Sequence, residues 1–115
     1  MRQAERDNDQ LGIILHYCER LEDSIRCFGD SYASFVSTTP FQDSCALCLI
    51  QIGEAVNRIS DDFKQAHSEI DWRRIYGMRC HLVHGYEMFD AEIAWDAIKS
   101  QVPPLKDFCA DRFEE

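Results

Sequence analysis

Apolar residues recur every three or four positions along most of the chain, which is the pattern of amphipathic helices. A first helix is predicted from about Asp9 to Phe28, and a second from Thr39 to about Ile59. The second has a clear start, because Thr39 can cap it, Pro40 fits a first turn and Gln42 can bond back to the cap. The apolar positions of these two helices are Leu11, Ile14, Leu15, Cys18, Leu21, Ile25 and Phe28, then Phe41, Cys45, Cys48, Leu49, Ile52, Val56 and Ile59.

A third long helix is predicted from Trp72, and the rest of the chain is organised around it. Asp71 can cap its start, since a carboxylate accepts from the free N–H groups of a first turn. Gly85 can end it in a left-handed conformation. Arg79 and His84 lie in this core helix, where long charged side chains are rare without a task. Its apolar stripe is formed by Ile75, Met78, Leu82 and Val83.

The remaining segments are shorter. Ser31 to Thr38 is predicted to be a connection, and Ser60-Asp61-Asp62 to start a short helix with Phe63 and Ala66 facing inward. A further helix is capped by Asp90 and broken by Pro103-Pro104, and a final short helix follows. Its stripe is Ile93, Ala94, Ala97, Ile98 and Val102, and the final helix carries Leu105, Phe108, Cys109 and Phe113. These elements predict an all-α, up-and-down four-helix bundle with short extra helices, in a single domain spanning residues 1–115.

The composition and net charge of the chain argue against several classes of function. The chain has 115 residues, 45% of them apolar, which is typical of one globular domain. Its net charge of −9 argues against broad electrostatic binding of nucleic acid, and no DNA partner is expected. No signal peptide or membrane span is recognisable, so a cytoplasmic protein without a membrane partner is expected. There the six cysteines are interpreted as small, reduced core residues, and the acidic runs Glu5 to Asp9 and Asp111 to Glu115 as solvated ends.

The residue types at the end of the third helix suit chemistry on a phosphate. The imidazole of His84 can take and give a proton near neutral pH. The guanidinium of Arg79 stays charged and can hold phosphate oxygens where charge develops. Cleavage of RNA by its own 2′-hydroxyl needs only these two functions and no metal or other cofactor. Arg79 and His84 are five residues apart, so on a continuous helix they do not share a face; they converge at a frayed last turn or across a dimer.

Four stretches in order along the chain resemble one known family. They are I-L-H-Y-C-E-R-L, I-Q-I-G-E-A-V-N-R-I-S, I-D-W-R-R-I-Y-G-M-R-C-H-L-V-H-G-Y and I-A-W-D-A-I-K-S-Q-V-P-P-L. The chain resembles the HEPN superfamily, in particular the HepT-like toxins of prokaryotic HEPN/MNT toxin–antitoxin pairs. The family motif R-x4-H-x-Y falls on Arg79, His84 and Tyr86.

The resemblance implies an HEPN-like fold and a function. It implies the toxin of a type VII (HEPN/MNT) pair, a metal-independent endoribonuclease that works as a homodimer with Arg79 and His84 as catalytic residues. Its partner would be an MNT-type nucleotidyltransferase antitoxin, which adds AMP to Tyr86 and silences the toxin, and the two proteins could form a larger complex. The family usually carries Asn after the arginine, where this chain has Cys80. The alternative is therefore a catalytically inactive subunit that presents substrate or Tyr86 to the nucleotidyltransferase.

Plainer interpretations stand beside these assignments. Arg79 and His84 could be a helix-end pair that stabilises a dimer, and Tyr86 could be an aromatic residue packed beyond a helix end. Glu54 is either a solvated or ion-paired carboxylate or, like Cys80 and His81, a residue that lines the cleft. Gly53 lowers helix propensity and can permit a close helix crossing. A zinc site built from Cys45-x2-Cys48 and His81-x2-His84 is the weakest alternative, because both cysteines fit an apolar stripe.

Overall fold

The computed structural model describes residues 2–84 and 90–115, and the side chain of His84 lies outside this description. Within these ranges the chain is helical and has no strand, which confirms the all-α prediction. A π-helical segment, Ala97–Gln101, joins the last two helices into one rod. The α-helices are α1 (Arg2–Phe28), α2 (Tyr32–Ser37), α3 (Thr39–Arg58), α4 (Asp61–Ala66), α5 (Trp72–His84), α6 (Ala91–Asp96) and α7 (Val102–Arg112).

Four long rods pack in a ring: α1 on α3, α3 on α5, α5 on α6 and the π segment, and α7 back on α1. Side-chain contacts give their directions. Asp7 meets Ser60 whereas Ser24 meets Ser44, so α1 and α3 are antiparallel. The ion pair between Arg74 and Asp96 and the 3.9 Å contact between His81 and Asp90 show that α5 is antiparallel to the last rod. Hydrogen bonds of Asn8 with Glu114 and of Lys99 with Asp30 show that this rod is antiparallel to α1. The result is an up-and-down bundle.

The start of α1 differs from the prediction. The helix begins at Arg2 instead of near Asp9, and Asp7, expected in a solvated acidic end, is only 4% exposed. Its two oxygens accept from the backbone N–H of Ser60 at 2.8 Å and from the Ser60 hydroxyl at 2.7 Å. The same hydroxyl caps α4 by accepting from the N–H of Phe63. One buried carboxylate therefore joins the first turns of α1 to the start of α4.

The start of α3 also differs in detail. Thr38, and not Thr39, is the N-cap residue, and its side chain makes no capping hydrogen bond. Gln42 does not bond back to the cap, because its amide donates to the carbonyls of Phe35 and Val36 at 3.0 and 3.1 Å. Both carbonyls belong to α2, a helix in the segment that was predicted to be a connection.

The proline pair does not break the last rod. Asp96, Gln101 and Val102 all have right-handed helical backbone angles. The N–H of Val102 donates to the carbonyl of Ala97, five residues earlier, which is a π-helical hydrogen bond. Pro103 and Pro104 then occupy the first turn of α7, where their missing N–H groups leave no donor unpaired within the helix. The predicted final helix is confirmed, but as a continuation of the rod.

Buried apolar residues from all four rods form one core, with Phe35, Phe41, Ile14, Leu49 and Ile52 fully enclosed. The predicted inward residue Phe63 packs against it, whereas Ala66 is exposed. Cysteines at 18, 45, 48 and 109 are buried as predicted. Cys27 is exposed and Cys80 half-buried, so these two are not core residues. No helix in the described part of the chain is long and apolar enough to cross a membrane.

Candidate active site

The start of α5 is fixed by three contacts, and this sets which way its later residues point. The Asp71 carboxylate accepts from the N–H of Arg74 at 3.1 Å, which confirms the predicted cap. The indole of Trp72 donates to the carbonyl of His67 at 2.9 Å. Ile75 and Met78 are buried in the core. With this stripe facing inward, Arg79 is turned toward α3.

The α3–α5 crossing is close at one point, where Arg79 lies against Gly53. A Cβ placed on Gly53 would overlap the Cβ of Arg79 and lie 2.6 Å from its Cγ. Real Cβ atoms do not come that near, so any residue with a side chain would push the two helices apart. The close crossing inferred for Gly53 is therefore present, and its partner is the arginine of the R-x4-H-x-Y motif.

Three side chains surround the guanidinium of Arg79, and the Arg79 side chain is 19% exposed. Its Nε is ion-paired with Glu54, on the turn of α3 next to Gly53. Its Nη1 donates to the thiol of Cys80 at 3.8 Å. Its central carbon lies 5.6 Å from the centroid of the Tyr76 ring, a cation–π distance. A long, flexible side chain is thus held in one place.

The same neighbours decide the charge of the site. The hydrogen bond to Cys80 and the negative charge of Glu54 raise the pKa of Arg79 above its ordinary value. Contact with Cys80 also raises the pKa of the Tyr76 hydroxyl above its usual range. Arg79 therefore stays cationic and Tyr76 stays neutral near neutral pH. The site offers one fixed positive charge, partly balanced by one carboxylate.

Sequence reasoning missed two residues of this arrangement, Tyr76 and Arg58. Tyr76 precedes Arg79 by three residues, a spacing that places both on one side of a helix. Arg58 follows Glu54 by four residues, and its Nη2 lies 4.0 Å from the Glu54 carboxylate. Glu54 is thus shared between two arginines, and helical spacing was the signal that could have found both.

His81 lies away from this group. It follows Arg79 by two residues, about 200° around the helix. Its Nε2 is 3.9 Å from the carboxylate of Asp90, and it lines an open groove between α5 and α6 with Arg74 and Gly77. The structure thus brings together Arg79, Cys80 and Glu54 but leaves His81 on the opposite side of α5.

The other two motif residues are only partly placed. His84 is the last residue of α5, one and a half turns beyond Arg79. Its side chain, the predicted helix stop Gly85 and the predicted modification site Tyr86 lie outside the described residues. The described residues resume at Asp90, which caps α6 as predicted.

The thiols considered for zinc are poor ligands where they stand. Cys45 and Cys48 are buried in the core, and burial raises the pKa of Cys45 to about 12. Zinc binds the thiolate, which this environment disfavours. Among the described residues no cluster of three or more His, Cys, Asp or Glu side chains could hold a metal ion.

Comparison with known proteins gives a consistent result. The family model described as "Ribonuclease HepT-like" matches residues 14–111. A protein of Thermococcus cleftensis named "Probable ribonuclease HepT" is 36% identical over 100 residues, covering 85% of this chain and 87% of its own. A "Putative RNase" of Caldanaerobacter subterraneus subsp. tengcongensis is 33% identical over 93 residues, 81% of each chain. No solved structure matches the chain. The match to nearly the whole chain and the all-α fold agree, and the chain belongs to the HepT-like ribonuclease family of the HEPN superfamily.

Proposed function

We propose that the protein is a metal-independent endoribonuclease that uses Arg79 and His84. The observation that carries this is the way Arg79 is held: packed on Gly53, ion-paired with Glu54 and placed over Tyr76. A surface arginine with no task is usually mobile and solvated, whereas this one is fixed before any substrate binds. Preorganised positive charge is what a developing phosphorane needs, because no reorganisation is required at the moment of reaction.

In the proposed reaction the 2′-hydroxyl of one nucleotide attacks the adjacent phosphorus, and the bond from phosphorus to the 5′-oxygen of the next nucleotide breaks. The products are a 2′,3′-cyclic phosphate and a 5′-hydroxyl. Arg79 binds the non-bridging oxygens, where negative charge grows. The 2′-hydroxyl loses a proton and the leaving 5′-oxygen gains one. His84 carries out one of these two transfers, since an imidazole can take and give a proton near neutral pH, and solvent carries out the other. Water is neither added nor lost in this step.

The biological role proposed is that of the toxin in a type VII pair. A homodimer would bring two R-x4-H-x-Y motifs to one cleft, so that a single strand meets Arg79 and His84 from both copies. An MNT-type nucleotidyltransferase antitoxin would transfer AMP to the hydroxyl of Tyr86, two residues from His84 in the chain. The added phosphate and adenosine would occupy the cleft and repel the RNA backbone. This partner and this modification rest on family membership.

The experiment is cleavage of total RNA by the purified protein with EDTA present, after mass spectrometry has confirmed that Tyr86 is unmodified. Arg79→Ala should lower the cleavage rate about 10²–10³-fold, the effect of losing one oxyanion-stabilising group. His84→Ala should lower it about 10²–10⁴-fold. Arg74→Ala, an arginine on the opposite side of α5 paired with Asp96, is the matched control and should cut like the wild type. Equal activity in all four proteins would refute the proposal.

A second candidate is a catalytically inactive subunit of a nucleotidyltransferase. The observation that favours it is the immediate neighbourhood of Arg79, where a thiol replaces the family's usual amide at position 80 and Glu54 already neutralises part of the charge. An unmodified wild-type protein that cuts no RNA, but accepts AMP on Tyr86 from a cognate nucleotidyltransferase, would favour this candidate. RNA cleavage in EDTA would exclude it.

A further inference from the structure

A row of charged contacts leads from Arg79 across the outer face of α3. The carboxylate of Glu54 pairs with Arg79 through one oxygen and lies 4.0 Å from Arg58 through the other. Arg58 is 52% exposed at its side chain, so its guanidinium is open to a ligand. Two guanidinium groups therefore flank one carboxylate, one at the proposed reaction site and the other beside it on α3.

The row continues in a groove between α1 and α3. Arg58 lines this groove with Gln51, His16 and Tyr17. The rings of His16 and Tyr17 meet edge to face, with centroids 5.0 Å apart. The guanidinium of Arg20 lies 5.4 Å from the Tyr17 ring centroid. One cation, two aromatic rings and a side-chain amide thus line a single groove, and a second cation, Arg20, lies over one of the rings.

We propose that this groove binds the segment of a single-stranded RNA that flanks the phosphate held by Arg79, an inference that rests on the proposed ribonuclease function. Arg58 takes the neighbouring phosphate, because a guanidinium forks onto phosphate oxygens. A base stacks in the groove against Tyr17 or His16, and the Gln51 amide meets its edge. Interleaved cations and aromatic rings are the usual means of holding unpaired nucleic acid.

The charge of the molecule favours a single strand over a duplex. A net charge of −9 gives no broad positive face, so affinity must come from a few local cations and from stacking. Stacking requires bases that are free of a complementary strand. Asp9 also lines the groove, and Glu54 stands between Arg79 and Arg58, so a strand is repelled at those two points. Arg58 in the groove and Arg20 beside Tyr17 remain as the positions for phosphates.

The test measures binding of an unstructured, fluorescein-labelled single-stranded RNA of about 12 nucleotides, a length within the range of such sites. His84→Ala serves as the background, so that the probe stays intact. Arg58→Ala should weaken binding about three- to tenfold and reduce the slope of log affinity against log salt by about 0.7, the value for one phosphate contact on a single strand. Tyr17→Ala should weaken binding about tenfold.

Matched controls separate this groove from general charge and stability effects. Arg26→Ala removes an exposed arginine that is paired with Asp23 outside the groove, and it should bind like the parent. Tyr17→Phe keeps the ring and should also bind like the parent, whereas a loss in Tyr17→Ala alone assigns the effect to stacking. Urea denaturation of each variant checks that Tyr17→Ala remains folded under the binding conditions.

Cleavage by the otherwise wild-type protein provides the second readout. With substrates shortened stepwise from each end, Arg58→Ala should raise KM for RNAs long enough to reach the groove, and this increase should disappear once the RNA is too short to reach it. If the wild type cuts RNA and Arg58→Ala behaves like Arg26→Ala at every length, the groove proposal is wrong while the ribonuclease proposal stands.

The remaining outcomes are also distinct. RNA binding that depends on Arg58 without any cleavage would support the groove and reject the nuclease. Absence of both binding and cleavage would reject both. If Arg58→Ala or Tyr17→Ala changes the association state measured by light scattering, and RNA affinity stays constant, the groove is a contact between copies of this chain and not an RNA site.

Discussion

The two sides of α5 carry similar residues in very different surroundings. Toward α3, Arg79 packs on Gly53 and is held by Glu54, and its side chain is 19% exposed. Toward α6, Arg74 is 57% exposed and pairs with Asp96 at the surface. A glycine also lies on each side: Gly53 of α3 faces Arg79, and Gly77 of α5 lies on the side toward α6. A Cβ on Gly53 would collide with Arg79, whereas a Cβ on Gly77 would meet nothing within 4 Å.

This difference teaches that a charged residue in a helix gains a defined position from the helix packed beside it. Both arginines have a carboxylate partner, so pairing alone does not distinguish them. Among the described residues, only Arg79 of the two also has a helix backbone packed against it and an aromatic ring alongside it. Exposed ion pairs are weak and mobile, whereas a pair held by packing keeps its geometry. Replacing the residues around the two arginines one at a time measures how much each residue contributes to the difference between the two sides of α5.

The largest effect is expected from the two glycines. Gly53→Ala should lower the free energy of unfolding by about 1–3 kcal/mol, because overpacking the crossing outweighs the helix propensity that alanine adds. Gly77→Ala should raise it by about 0.5–1 kcal/mol, since the added methyl group enters open space in a helix interior. Urea denaturation of both variants measures the two changes in the free energy of unfolding. Equal changes would mean that the crossing yields to a methyl group without strain.

Glu54→Gln should affect activity more than stability. The free energy of unfolding should change by less than about 1 kcal/mol, because both partners are partly exposed. The cleavage rate should fall about tenfold at unchanged KM, as the guanidinium remains charged but loses its fixed position. Asp96→Asn removes the corresponding partner of Arg74 and should leave cleavage unchanged. Faster cleavage by Glu54→Gln would show instead that Glu54 competes with RNA for Arg79.

The smallest effect is expected at Cys80. Cys80→Asn should raise the cleavage rate about two- to fivefold, because an amide donates and accepts hydrogen bonds more strongly than a thiol beside Arg79. The free energy of unfolding should change by no more than about 0.5 kcal/mol, as is usual for a side chain outside the core. Cys27→Asn changes the exposed cysteine on α1 and serves as the control. A slower Cys80→Asn enzyme would indicate that the thiol itself is needed.

Much of the fold was predictable because long amphipathic helices have a strong periodic pattern. The apolar stripes of α1, α3 and α5, the caps at Asp71 and Asp90 and the helix start at Ser60 were all identified from local spacing. Two errors had different causes, one a distant partner and the other a local change of helix type. Asp7 looked like a solvated acid until Ser60, far along the chain, supplied two donors. Pro103-Pro104 looked like a break until the π segment allowed the rod to continue.

For the candidate site, the residue types and their order could be taken from the sequence, but their neighbours could not. Arg79 and Glu54 were identified separately, on different helices and for different reasons. Tyr76 and Arg58 were overlooked because an aromatic residue and an arginine on a helix surface are ordinary. Their importance depends on the ion pairs and the ring contact that gather them around one guanidinium.

The sequence by itself determined the helical periods, the caps at Asp71 and Asp90 and the motif R-x4-H-x-Y, because each depends on residues within a few positions of one another. The tertiary structure decided which glycine is a crossing point and which is free, and which arginine is held and which is solvated. These differences depend on the tertiary structure because the position of a side chain is set by neighbouring atoms that belong to distant parts of the sequence. Gly53 and Arg79 are far apart in the sequence, and only the packing of α3 on α5 places one directly against the other.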